Sequence, residues 1–208
     1  MPAYLFNFVC MINYPVNIPY SIILGSQSPR RKQLLEGLGL KFDVQVIPTN
    51  EEFDPDWDPV TIAKNLAKIK NECFAEILKE SPEKLVITAD TIVSINNSIL
   101  NKPGSKEEAI QMLNTLSGNK HTVYTGVCIS TSEKSESFVS ATDVYFNALN
   151  EKEIEYYIET CKPYDKAGSY GVQEWMGYIG ISKIEGCFFN VMGLPVNELY
   201  KKLQLFSL

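Results

Sequence analysis

Tyr20-Ser-Ile-Ile-Leu24 runs directly into Gly25-Ser26-Gln27-Ser28-Pro29-Arg30-Arg31 and then into an amphipathic stretch through Leu34, Leu35 and Leu38. The first five residues are a short β-branched run and read as a strand. Ser28 stands where a helix N-cap belongs, Pro29 occupies the first helical position, and Gly37 and Gly39 end the pattern. Strand, tight loop and helix in this order are the opening unit of an α/β fold.

Outward from that unit, a second strand is expected over Phe42 to Ile47. A polar, proline-punctuated loop covers 48–59, and a helix from about Val60 to Leu78 carries Ile62, Leu66, Ile69, Phe74 and Ile77 on its apolar face. Lys84 to Ile95 reads as buried strand on either side of Asp90, with Asn96-Asn97 as the turn into Ile99 and Leu100. Ser105 with Glu108, and later Asn150 with Glu153, have capping-box spacing for two helices, the first closed by Gly118 and the second reaching about Thr160. Two alternating strands lie between them, around 123–129 and 138–146. The last third offers a Gly-rich loop from Asp165 to Gly171, a hairpin around Gly186 and a helix beginning near Pro195. Strands and helices alternate without a strict βα period. The expected fold class is therefore α/β, a mixed twisted sheet with flanking helices.

The chain has 208 residues, 45% hydrophobic and 21% charged, enough to bury one substantial core. One domain is expected over 19–208. Residues 1–18 are set apart as an N-terminal extension, and Met11 offers an alternative start. The first twenty residues are apolar but lack Lys and Arg and are broken by Pro2, Pro15 and Pro19, so they fit neither a signal peptide nor a membrane helix. With 25 acidic against 19 basic residues the surface repels polyanions, which argues against a nucleic-acid partner. The five cysteines (Cys10, Cys73, Cys128, Cys161 and Cys187) are odd in number and never in C-x-x-C spacing, which points to reduced thiols in the cytoplasm.

Chemistry concentrates at two places. Arg30 and Arg31 sit in a helix's first turn, where the dipole favours acids. Hydroxyls, free amides and two guanidiniums repel one another there but suit a polyphosphate. The alternative is a capped surface helix with solvated arginines. In Ile87-Thr-Ala-Asp-Thr-Ile-Val93 one carboxylate lies inside an apolar run, so Asp90 is expected at a strand end or bulge, facing a cation, a donor or water. It could hold a metal or take a proton from water, or simply cap a turn. Glu51-Glu52, Lys68 with Lys70, and Lys102-Pro-Gly104 are weak signals taken singly. In Asp165-Lys-Ala-Gly-Ser-Tyr-Gly-Val-Gln173 three small residues let a backbone approach a ligand. His121, the only histidine, has no metal-ligand neighbours in sequence and reads as structural. No G-x-S-x-G, P-loop or G-x-G-x-x-G is present.

In order, S-x-S-P-R-R, the Glu-Glu loop, Ala67-Lys-Ile-Lys70, T-A-D-T, N-K-P, T-G-V and D-K-A-G-x-Y-G-x-Q resemble the Maf family, and the resemblance covers Ser21 to Leu203. It implies a house-cleaning nucleoside triphosphate pyrophosphatase with a fold similar to that of the inosine triphosphate pyrophosphatases, and a divalent cation, Mg or Mn. It further implies Asp90 as proton acceptor and metal ligand, and Glu52 as the loop acid that helps bind metal. Ser26, Arg30, Arg31, Lys70 and Lys102 would surround the phosphates, and Arg30, Thr91 and Gln173 would bear on substrate choice. Gln173, rather than an acid, implies dTTP and UTP as substrates. The other readings left open are a 7-methyl-GTP pyrophosphatase and a non-catalytic nucleotide-binding regulator of cell division. Two departures from the family pattern are the N-terminal extension and Asn101, where Gly or Glu commonly precedes Lys-Pro. A nucleoside triphosphate is the expected partner, a membrane is not, and the sequence allows a homodimer without requiring one.

Overall fold

A computed structural model describes residues 18–54, 56–96 and 98–207. Strand β1 (Ser21–Leu24) leads through the 25–28 loop into α1 (Pro29–Gly37), then β2 (Phe42–Val44), α2 (Pro59–Glu72) and α3 (Ala75–Glu80). The long β3 (Lys84–Ile95), β4 (Ser98–Leu100), α4 (Lys106–Leu116), β5 (Lys120–Ser130), β6 (Ser135–Phe146) and α5 (Glu151–Cys161) follow. After two 3-10 turns at Pro163–Asp165 and Ala167–Ser169 come α6 (Trp175–Gly180), β7 (Ile181–Glu185), α7 (Phe188–Met192) and α8 (Val196–Leu203). The strands form one seven-stranded mixed sheet in the order β2-β1-β3-β5-β6-β7, with β4 on β3. β1 is parallel to β2 and β3, and the other pairings are antiparallel.

Period-two alternation assigns the two faces of β3. Leu85, Ile87, Ala89, Val93 and Ile95 join Leu34, Leu35, Leu113, Leu116, Ile154, Ile158 and Leu199 in the main core. Val86 packs with Phe74 and Leu78, and Ile92 with Ile62, Ala63 and Leu66. Gly126 of the T-G-V strand explains how α2 lies so close: a Cβ there would come within 2.0 Å of the Ala63 carbonyl oxygen.

Several expectations are corrected. The helix expected over 60–78 is two helices, broken after Glu72, with Ile69 and Ile77 only half-buried. The strand expected to reach Ile47 ends at Val44. Around Gly186 (φ 132°) the chain passes from β7 into α7 rather than folding back as a hairpin, because β7 finds its partner in β6. The Asn150/Glu153 capping box forms in full. At α4 only half of one does: Ser105 accepts from the Glu108 amide, while the Glu108 carboxylate takes the Gly104 N–H instead. Ser28 caps α1 as expected, accepting from the Arg31 amide. Residues 1–17 of the expected extension at 1–18, Cys10 among them, and Asn97 of the turn lie outside the described residues.

Candidate active site

β1 stops pairing with β3 at Leu24 opposite Ile87, and β4 begins pairing at Val93. Between them β3 has no strand neighbour on that edge over 88–92, and Asp90 is at the centre of the gap. Open α/β sheets place ligand sites in such crevices at the carboxyl ends of parallel strands. The expected strand end or bulge at Asp90 is thus corrected: the carboxylate sits mid-strand, paired to Gly126, and what ends beside it is β1. The charge is tolerated because the Lys70 ammonium from α2 hydrogen-bonds to it.

Lys70, whose side chain is 16% exposed, also pairs with Glu51 at 2.8 Å. It therefore bridges two carboxylates. Burial alone would raise the Glu51 carboxyl, but the Lys70 hydrogen bond and charge, with Lys102 and Arg31, hold it below the usual carboxylate range. Glu52, the residue singled out beforehand, is exposed and bonded to Asn50, and does not line the cleft. The loop turns its first acid inward and its second outward. Two adjacent glutamates carry no sequence signal to tell them apart.

Across the gap, the 25–28 loop and the start of α1 supply the cations. Arg31 donates to the Gly193 carbonyl at 2.8 Å, to Thr91 Oγ1 at 3.0 Å and to Ser26 Oγ at 3.2 Å. Thr91 in turn bonds to Thr125. Burial lowers the Arg31 pKa, with Asp90 opposing. Arg30 reaches the other way and donates to Asp165 at 2.9 Å. No acid occupies the first turn of α1, so its free amides remain a positive end.

The cleft has two joined lobes. One, with about 1090 Å³ of open space, is lined by Ser26, Ser28, Arg30, Arg31, Lys70 and Lys102. The other, about 690 Å³, shares Arg30, Arg31, Lys70, Asp90 and Lys102 but runs on past Val93, Val123, Tyr170, Val191 and Met192 to Gln173. The enclosed part is about 420 Å³ in the first lobe and about 110 Å³ in the second, and the first is in the range of small-molecule sites. Gln173 Oε1 is buried and has no hydrogen-bond partner among the described residues. Of the residues picked from sequence, Ser26, Arg30, Arg31, Lys70, Asp90, Thr91, Lys102 and Gln173 therefore border one cleft, and Glu52 does not.

A family model described as "Maf-like protein" matches residues 21–206. The chain belongs to the Maf family. Maf proteins at similar distances include a "dTTP/UTP pyrophosphatase" of Bacteroides thetaiotaomicron, 46% identical over 89% of this chain and 95% of that one. Another of the same name, from Porphyromonas gingivalis, is 48% identical over 90% and 95%. Among solved structures, the Staphylococcus aureus Ham1 protein aligns at TM-score 0.44 and 15% identity over 89% of this chain and 97% of that one.

Sequence reasoning missed Glu51, Asp165, Lys166 and the apolar wall from Val191 and Met192. Asp165 and Lys166 lie inside the D-K-A-G-x-Y-G-x-Q motif, in which only the small residues and Gln173 had been given a role. Val191 and Met192 follow the supposed hairpin, and nothing local distinguishes them from core.

Proposed function

We propose that this Maf protein is a nucleoside triphosphate pyrophosphatase that cleaves dTTP and UTP to the monophosphate and pyrophosphate. The observation that carries the reading is the two-lobed cleft: Arg30, Arg31, Lys70 and Lys102 line both lobes, Asp90 lines the second, and that second lobe runs on past Val93, Val123, Tyr170, Val191 and Met192 to Gln173. The relatives named dTTP/UTP pyrophosphatase, 46% and 48% identical over most of the chain, support it.

The triphosphate lies along Ser26, Ser28, Arg30, Arg31 and Lys102. Water attacks the α-phosphorus, Asp90 takes its proton, and negative charge grows on the β-phosphate, where guanidinium and ammonium donors stabilise it. Lys70 holds the Asp90 carboxylate toward the gap. For a divalent cation, Mg or Mn, the fitting donors are Asp90 and Glu51. Among the described residues no three acids, histidines or cysteines cluster, but two carboxylates plus phosphate oxygens suffice for such a hard ion. When bound there, the cation supplies charge neutralisation at the phosphates. Glu51 thus takes the place expected for Glu52.

The base enters the apolar lobe. The Gln173 amide carries both an acceptor and a donor, matching N3–H and O4 of thymine or uracil. Cytosine reverses both groups and is disfavoured. A cytoplasmic setting is part of the reading, supported by free thiols at Cys73, Cys128, Cys161 and Cys187. Among the described residues no helix is long and apolar enough to cross a membrane.

Pyrophosphate release from dTTP, UTP, CTP, GTP and 7-methyl-GTP, under one divalent-metal condition, tests this. dTTP and UTP should be turned over fastest, and Gln173→Glu should lower pyrimidine turnover more than stability. Preference for the methylated guanine nucleotide overturns the substrate class. No release from any triphosphate overturns the enzyme.

A further inference from the structure

Behind Gln173 runs a chain of polar groups anchored on buried Tyr157 and Lys166, neither of which the chemistry above uses. The Gly171 amide donates to the Tyr157 hydroxyl of α5 at 2.9 Å, and that hydroxyl donates to Glu174 Oε2 at 2.5 Å. The other Glu174 oxygen accepts from Lys166 Nζ at 2.9 Å. Lys166 also pairs with Asp165 at 2.7 Å, and Asp165 holds Arg30. Tyr157 is fully buried, and the Lys166 side chain is only 7% exposed. A buried ammonium is costly unless paired, and two carboxylates answer it here. Burial, and then the hydrogen bond to Glu174, push the Tyr157 hydroxyl well above its ordinary pKa, so it stays protonated as the donor.

The network closes on Gly171. Its backbone accepts from the Glu174 amide at 3.0 Å, and a Cβ built on it would meet the Glu174 carboxyl carbon at 2.7 Å and Gln173 Nε2 at 3.0 Å. Three groups thus crowd one small turn: the hydroxyl that holds its N–H, the carboxylate held by Lys166, and the amide that lines the base lobe.

We propose that Tyr157, Glu174 and Lys166 are positioning residues for base selection. They fix the 171–174 turn and with it the amide plane of Gln173, so that selectivity for the thymine or uracil edge depends on a hydroxyl and an ion pair that never touch the base. The inference rests on Gln173 reading the base, and is separated from it by assaying the wild-type protein first.

Initial rates of the full chain on dTTP, UTP and CTP are compared for wild type, Tyr157→Phe and Glu174→Gln, with melting curves for each. Leaving a buried amide or ammonium without its partner should let Gln173 turn, so the dTTP-over-CTP ratio of kcat/KM falls about tenfold. The loss is expected mainly in KM for dTTP, with kcat for dTTP within about twofold. Glu174→Gln keeps the shape and decides the matter if Tyr157→Phe does not fold. An unchanged ratio in folded variants overturns the proposal, as does an equal loss of kcat on every nucleotide. Failure of both variants to fold also overturns it, since the network would then be structural. A wild-type protein with no pyrimidine preference removes the reading of Gln173, and the inference falls with it.

Discussion

Along the 25–31 loop the cleft is walled by hydroxyls, guanidiniums and ammonium groups facing a carboxylate. Farther in, Val93, Val123, Val191, Met192, Tyr170 and the Gln173 amide form an apolar wall, with Thr91 and Lys166 beside it. The charged lobe is assembled from separate segments, in which Arg30, Arg31, Lys70 and Asp90 are held by ion pairs or hydrogen bonds before any ligand arrives. The apolar wall belongs to the main core and is shaped by packing, with His121 and Phe146 set edge-on to Tyr170. Polar preorganisation serves charge that develops in a reaction, whereas packing supplies only shape. Damage to the first should therefore appear in turnover, and damage to the second in selectivity and stability.

The sharpest way to break this contrast is Asp90→Asn. It removes the proton acceptor while keeping the shape, and turnover should fall by about 10²–10⁴-fold in a protein that still melts cooperatively. Steady-state rates near wild type in that folded variant would dissolve the distinction between the lobes.

A smaller effect separates the two arginines. The opposition of both to the helix dipole implied that losing either would leave the unliganded protein as stable or slightly more so. The structure corrects this for Arg31, which satisfies the Gly193 carbonyl, Thr91 and Ser26. Arg31→Ala should cost roughly 1–3 kcal/mol. Arg30→Ala loses one ion pair to an exposed carboxylate and should cost under about 1 kcal/mol. Both should weaken triphosphate binding. Equal melting temperatures for the two variants would show that Arg31 is not part of the frame.

The mildest test concerns the wall of the apolar lobe. His121 is buried, bonded to the Tyr170 hydroxyl at 2.7 Å, and burial pushes its pKa down to about 4. Between pH 6.5 and 4 the unfolded chain takes up a proton that the folded chain refuses, so stability falls as pH drops through that window. From pH 6.5 to 5 the loss should be roughly 2 kcal/mol. Denaturant titrations at the two pH values measure it, and His121→Gln should flatten the difference. A wild-type protein equally stable at both would mean that the histidine is not held neutral.

Three residues of the charged lobe were legible because each breaks a local rule. Two arginines open a helix where acids belong, and one aspartate interrupts an apolar strand. Such violations carry information that survives without coordinates, and so do the Ser28 and Asn150 caps, whose donors and acceptors lie within three residues of one another. The apolar lobe breaks no rule. Val93, Val123, Val191 and Met192 are ordinary core residues until the ends of β1 and α7 leave space beside them.

The amino-acid sequence by itself determined the strand–loop–helix opening, the α/β class with a mixed sheet, and most of the polar residues of the cleft, because period, caps and misplaced charges are properties of neighbours along the chain. Only the tertiary structure decided that Glu51 rather than Glu52 faces Lys70, that Asp90 sits mid-strand beside the place where β1 ends, and that Tyr157 stands behind Gln173. Those outcomes depend on where a loop turns, where a parallel neighbour stops and which helix packs across a sheet. Each is fixed by contacts between segments far apart in the chain, which no local pattern encodes.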